Sequence, residues 1–417
     1  MNGQRGAGMR RMVGRGMVLV LAAGMAAPVA GWLLAPPAAD AAEVKVALVA
    51  PLSGRWARQG QFMKHGAEMA VDEINAQGGI KALGGAKMVL VIADAGDSVE
   101  KAVSATQRVL TRENVVAADG SWLSSFTIGA TEVAERLQIP WLTFSFADTI
   151  TERGFKYVFQ TSPVSSRLAE QGLDLAIEMA KAQGVSIKKI ALVGDNTAAS
   201  VTYFKPMREK LLAARGIALV VDEVFTPPLP DATAIAQKLK ATKPDLMLNA
   251  STNFADSVQI LQKMKEFGVR VPNVGNGAQF LTPEYLQAVG PEVMFGFMST
   301  AASHPLKGQE ELVRRFKERT KEPYMIQDSV STYAEIWIIK EALEIAKSDD
   351  PKKVRDAIAS LDLSTGPAAQ TLMPNRIRFE QNGRRAGSIP VIVQWQGNEP
   401  YAVFPPSGAT KSPVWPK

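Results

Sequence analysis

The chain has 417 residues, of which 46% are hydrophobic, more than one ordinary core accommodates, and this length suits two domains. It holds no cysteine, which excludes a disulfide framework and a lipid-bearing cysteine, and its formal net charge is +6. Setting aside residues 1–41 leaves 43 basic against 40 acidic residues, so no nucleic acid or other polyanion is expected as a partner.

Those first 41 residues read as a secretory signal peptide. Arg5, Arg10, Arg11 and Arg15 make a cationic start, Met17 to Leu34 carries no charge, and Ala39-Asp40-Ala41 offers small residues at a cleavage site. The apolar run also has the length of a membrane anchor, against which Pro28 and the nearby glycines argue.

The stretch that follows is the most informative. Val44, Val46, Leu48 and Ala50 predict a buried strand, Pro51 to Gly60 a polar loop, and Ala67, Ala70, Val71 and Ile74 a helix stopped by Gly78-Gly79. Strand and helix then alternate: Lys87–Ala93, Val99–Thr111, Val115–Ala118, Thr127–Leu137, Trp141–Thr143, with a short strand at Tyr157–Gln160. A second series runs through helix Arg167–Gln183, strand Lys189–Val193, helix Val201–Ala214, strand Ala218–Val224, helix Thr233–Ala241, strand Leu246–Leu248 and helix Asp256–Phe267. Met298 to Ala301 leads into helices Gln309–Thr320, Ser329–Lys347 and Pro351–Ser360, and the tail has strands at Arg376–Phe379 and Ile389–Trp395. Regular alternation of this kind means parallel sheets covered by helices on both faces.

Chemistry-bearing motifs are sparse. His65 and His304 are far apart in the chain and read as surface residues, and no H-E-x-x-H, G-x-S-x-G or Walker A pattern occurs. Asp94 and Asp97 sit at a strand end, where caps and turns use carboxylates. No catalytic residue, metal or cofactor is therefore expected, and ligand binding in the loops at the strand ends is the reading that remains.

The chain resembles the periplasmic branched-chain amino acid-binding proteins, the type I solute-binding proteins of ABC transporters. The resemblance is carried by Pro51-Leu52-Ser53-Gly54, Gly66-Ala67, Asp72-Glu73-Ile74-Asn75, Gly78-Gly79-Ile80, Asp94 with Asp97, Leu123-Ser124-Ser125, Ile150 to Phe155, and Ser331-Thr332-Tyr333-Ala334. It implies an α/β fold of two doubly wound parallel-sheet lobes, joined by a three-segment hinge that closes over a ligand. The expected boundaries are 42–162 plus 296–365 for the first lobe and 163–295 plus 366–417 for the second. The implied partners are a small-molecule ligand and an inner-membrane ABC permease, with the protein a periplasmic monomer. A ligand sensor of the same fold is the alternative, and a chain ending at Lys417 without an output segment favours transport.

Within that resemblance Ser124, with Ser125, corresponds to the position that holds a ligand carboxylate; capping of the following helix is the plainer role. Ser145 and the backbone of Ala147 fall where a second polar cluster is expected, while Phe144 and Phe146 suit a core. In the first loop Trp56 is a candidate apolar wall and Arg58 a candidate partner for a carboxylate, with edge packing and solvation as the rival readings. On the second lobe Asn196 and Asn253 are candidates, together with Asn276 and Gln279. Ala199 replaces an aromatic of the amino acid-binding relatives, and Gly277 stands where they supply a glutamate for the ligand ammonium. These departures argue for an amide or small carboxylate as much as for an amino acid, since a buried ammonium without a carboxylate partner is costly.

Overall fold

The computed structural model describes residues 42–416 and Leu19, so the expected signal peptide otherwise lies outside the described residues. Five parallel strands form the first sheet: β1 (Glu43–Ala50), β2 (Lys87–Asp94), β3 (Ala117–Gly120), β4 (Trp141–Thr143) and β5 (Val158–Gln160), in the order β2-β1-β3-β4-β5. β1 is an unbroken apolar run because both its faces are covered. Val46, Leu48 and Ala50 pack with Phe62 and Met63 of helix α1 (Ala57–Ala76), and Ala47 and Val49 pack with residues of α2 (Val99–Arg112) and α3 (Ser124–Leu137). Burying each larger side chain of this kind contributes about 1.5–3 kcal/mol.

The second sheet contains parallel strands β6 (Lys189–Asp195), β7 (Ala218–Phe225), β8 (Leu246–Ala250), β9 (Asn273–Asn276) and β10 (Met298–Ala301). After a small ribbon of β11 (Asp362–Leu363) and β12 (Ile377–Arg378), β13 (Val391–Gln396) and β14 (Glu399–Phe404) return antiparallel at its edge, in the order β14-β13-β10-β9-β8-β6-β7. Helices α4 (Ser165–Ala182) and α5 (Ala198–Pro206) cover one face. The fold is α/β with two parallel-sheet lobes, as expected. β9 and β14 are additional strands; Gly275 and the Pro400 region mask their pattern.

The lobe boundaries need correction. Met298–Ala301 pairs with β9 and β13, so the segment from 296 to 301 belongs with the second sheet, not the first. Conversely, Gln160 N–H donates to the Gly383 carbonyl (2.8 Å) and Phe379 packs edge-on against Phe159 at 5.1 Å, which puts the stretch from 366 to about 386 against the first sheet. Two-residue and four-residue strands carry too little pattern to reveal which sheet will pair with them. The chain passes between the sheets after β5, after β10 and between Arg385 and β13.

Helix Gln327–Ala346 is the centre of the first lobe, and 15 of its 20 residues are buried. α1 lies directly on it. A Cβ on Gly66 would come within 2.2 Å of the Ser329 carbonyl oxygen, so this crossing needs glycine. The expected loop Pro51–Gly60 is shorter than its composition suggested: a single tight turn at Gly54–Trp56 leads straight into α1, which places Arg58 and Gln59 on the helix. His304 is another correction, since it is buried and its imidazole is pushed down to about 4 by loss of solvent.

Candidate functional site

The carboxyl ends of the strands in both sheets face one cleft. The first lobe lines it with Trp122, Leu123 and Ser124 after β3 and with Phe144, Ser145 and Phe146 after β4; the second contributes Ala199, Thr252, Asn276 and Gln279. Gln327, at the start of the central helix, completes the lining. The lobes lie against each other, leaving a partly open cavity of about 30 Å³, room for a few water-sized groups.

Ser124 opens α3, and its hydroxyl oxygen accepts from the N–H groups of Phe146 and Ala147, each at 3.1 Å. Two incoming donors occupy both lone pairs, so the Ser124 proton remains for a third group. Phe126 and Thr127 N–H donate to the Leu123 carbonyl, while Ser124 and Ser125 N–H have no backbone acceptor among the described residues. The positive end of α3 therefore faces the cleft with unspent donors.

Ser145 is committed internally. Its hydroxyl donates to the Trp122 carbonyl at 2.8 Å and stands 2.7 Å from Thr127 Oγ1, which itself accepts from Ser121 N–H. This chain fixes Trp122, a non-glycine residue at φ 70°, against the cavity. Trp122 Nε1–H donates at 3.1 Å to Asp328, a buried acid pushed up to about 7 by loss of solvent.

On the opposite wall Asp195 lies behind the lining. It accepts from Thr197 N–H and hydroxyl, Ser200 hydroxyl, and Thr252 N–H and hydroxyl, an arrangement that holds the ends of β6 and β8 together. Gln279 donates both amide hydrogens, to the carbonyls of Ser251 (3.0 Å) and Asn276 (2.8 Å). Asn276 is buried and its Oδ1 has no partner among the described residues. No charged side chain lines the cavity.

The sequence candidates divide into two groups. Ser124 and Ser145 line the cavity, Ser125 accepts from Ala198 N–H across the lobes (3.2 Å), and Ala147 sits behind Ser124. The others serve different purposes. Trp56 is buried edge-on against Phe126 at 5.4 Å in the core beneath α3, away from the cavity lining. Arg58 is engaged bidentately by Glu322 (2.6 and 2.7 Å) and donates to Glu284 (2.8 Å), so its guanidinium is spent on the protein. Asn196 is exposed and donates to Thr226, and Asn253 caps the helix Phe254–Glu266 by accepting from Ala255 N–H. Asp94 accepts from Leu52, Ser53 and Gly96 N–H, the work of a turn former.

Gly277 does not line the cavity, but it explains the wall beside it. A Cβ there would lie 2.4 Å from Gln279 Oε1 and 3.1 Å from the Phe146 ring, so the amide and the aromatic occupy the space a longer side chain would need. Trp122, Thr252 and Gln327 were not anticipated. Trp122 had a signal, as an aromatic directly between β3 and the serines; Gln327 had none, since only the lobe packing brings its helix start to the cleft.

A model of the periplasmic binding protein family matches residues 43–399, and the chain belongs to that family. It is similar to a Leu/Ile/Val-binding protein homolog 7 of Brucella suis, with 29% identity over 388 residues covering 90% of this chain and 95% of the relative. Among solved structures it superposes on the LivJ branched-chain amino acid transporter substrate-binding protein of Streptococcus pneumoniae in complex with isoleucine. That match has a TM-score of 0.72 and 20% identity, covering 85% of this chain and 97% of the other. A solute-binding protein from R. palustris in complex with benzoate gives a TM-score of 0.71 and 18% identity, covering 89% and 98%. The fold is thus that of type I periplasmic binding proteins.

Proposed function

We propose that this protein is the solute receptor of an ABC importer, a periplasmic monomer that captures a small amino acid, amide or carboxylate between its lobes and delivers it to a membrane permease. The observation that supports this best is a single uncharged cavity whose wall is drawn from the strand-end loops of both sheets, so that a ligand makes its full set of contacts only when the lobes meet. A ligand bound first by the donors at α3 gains further contacts from Asn276 and Gln279 on closure, and only that difference shifts the open–closed balance. No helix among the described residues is long and apolar enough to cross a membrane.

The test is a thermal-shift screen of the chain from residue 42 onward against amino acids, amides and small carboxylates. A specific ligand at one hundred times its Kd adds about 2.7 kcal/mol of stability and raises the midpoint by several degrees. Uptake of the same compound by the native cell should fall when the gene is deleted and return with the wild-type chain. Retained uptake, or chemical conversion of the compound by the purified protein, would count against the receptor role.

A further inference from the structure

We infer that the ligand is a small monocarboxylic acid whose second polar group is an uncharged hydrogen-bond donor, a hydroxyl or an amide N–H, and not a zwitterionic α-amino acid. This rests on the receptor reading above and narrows it by counting the donors and acceptors that the cavity leaves unspent.

The first lobe offers donors. Ser124 Oγ already receives two N–H groups, which directs its own proton away from them, and the N–H groups of Ser124 and Ser125 at the start of the 14-residue α3 have no backbone acceptor among the described residues. Three donors at the positive end of a helix suit the two oxygens of a carboxylate. With no arginine or lysine in the lining, nothing there suits a second acid group.

The second lobe offers acceptors, none of them charged. Both Gln279 N–H groups are used on the carbonyls of Ser251 and Asn276, which fixes the orientation of the amide and leaves Oε1 as its free end beside Phe146. Thr252 has spent its proton on Asp195 and retains only lone pairs. Asn276 is 4% exposed and its Oδ1 receives nothing among the described residues, an unmet requirement that a ligand donor would fill. An ammonium here would be stripped of water with no carboxylate in the lining to offset the loss, since Asp195 lies behind Thr252 with its oxygens already taken, whereas a hydroxyl or amide N–H exchanges its water for amide oxygens at little cost. Trp122, Phe144 and Phe146 provide the apolar surface for the body of the molecule.

Isothermal titration of the chain from residue 42 onward with matched pairs reads this directly: leucine against 2-hydroxy-4-methylpentanoate, phenylalanine against 3-phenyllactate, and glycine against N-acetylglycine. In the pair whose body fits, the uncharged-donor acid should bind at least tenfold more tightly than the amino acid. If the amino acid binds more tightly, the inference falls and the receptor reading stands. If no member of any pair binds, the inference falls too, and the broader thermal-shift screen then decides the receptor reading separately. The Asn276→Asp variant supplies the missing charge at a side chain that donates no bond within the protein. It should keep its circular dichroism and melt somewhat lower, because the ligand-free protein then buries an unpaired carboxylate, while its preference moves at least tenfold toward the amino acid. An unchanged preference in a folded N276D protein would overturn the placement of the ligand donor against Asn276.

Discussion

Arg58 on α1 and Glu284 at the start of the second-lobe helix Glu284–Val289 form an ion pair 2.8 Å long that joins the two lobes. Arg58 is held in place for this by its two bonds to Glu322 and by stacking over Phe62 at 4.2 Å. If the lobes part as the receptor reading requires, the guanidinium stays oriented in the first lobe and Glu284 is the half of the pair that leaves. Removing Glu284 should weaken closure without loosening the first lobe. Because both side chains are partly exposed, the pair contributes about 0.5–1 kcal/mol, so Glu284→Ala should weaken ligand affinity roughly two- to fivefold. Isothermal titration and a melting curve would check this: affinity falls while the midpoint stays within about a degree.

Ser124 and Ser145 look alike in sequence and differ in what their protons do. Ser124→Ala removes the donor proposed for the ligand and also strands the N–H groups of Phe146 and Ala147. Loss of the two bonds should cost about 1–3 kcal/mol of stability, and ligand affinity should fall at least tenfold. Ser145→Ala breaks the link between Thr127 and the Trp122 carbonyl and should lower stability by a similar amount with a smaller effect on affinity. Chemical denaturation and titration of both variants separate the two roles.

The crossing of α1 over the central helix depends on a missing side chain. Gly66→Ala puts a methyl group 2.2 Å from a backbone oxygen, which cannot rotate away, so the helices must separate. Overpacking of this kind costs about 1–3 kcal/mol or more, and a fall of several degrees in the melting midpoint is expected. Gly78→Ala is the control at a site with open space, where only the positive φ of 98° opposes the change.

A buried acid pair lies beneath the crossover segments. Asp119 on β3 and Glu335 on the central helix are both fully buried; Thr161 in the first crossover donates to Glu335 at 2.5 Å, and Arg385 in the third donates to the Thr161 carbonyl at 2.6 Å. Loss of solvent pushes Asp119 up to about 7, and Glu335 is raised by burial and by Asp119, with Arg385 opposing. In the unfolded chain both acids titrate near 4, so between about pH 4 and 7 the folded protein binds more protons than the unfolded one. Stability from this pair is thus fully present below about pH 4 and declines as pH rises through 7. Asp119→Asn, which keeps a donor toward Glu335 without ionising, should flatten that decline in melting midpoints measured from pH 4 to 8.

What the sequence determined by itself was the scaffold. β1, α1 and the alternating elements behind them are legible because parallel strands buried on both faces must be continuous apolar runs, and their helices must carry a 3.6-residue stripe. The serines after β3 were legible for a related reason: a loop between a strand end and a helix start presents unpaired N–H groups whatever surrounds it. Only the tertiary structure decided which side chains remain free. Trp56 and Arg58 fall in the stretch whose composition reads as a ligand-facing loop, yet their partners Phe126, Glu284 and Glu322 are far away in the chain and claim both of them. Asn276 and Gln279 reach the cleft from the opposite lobe, and Gln327 from a helix more than two hundred residues beyond Ser124. Burial and hydrogen-bond satisfaction are properties of the assembled neighbourhood, so a local pattern can locate a cleft without revealing which of its polar groups are already spoken for.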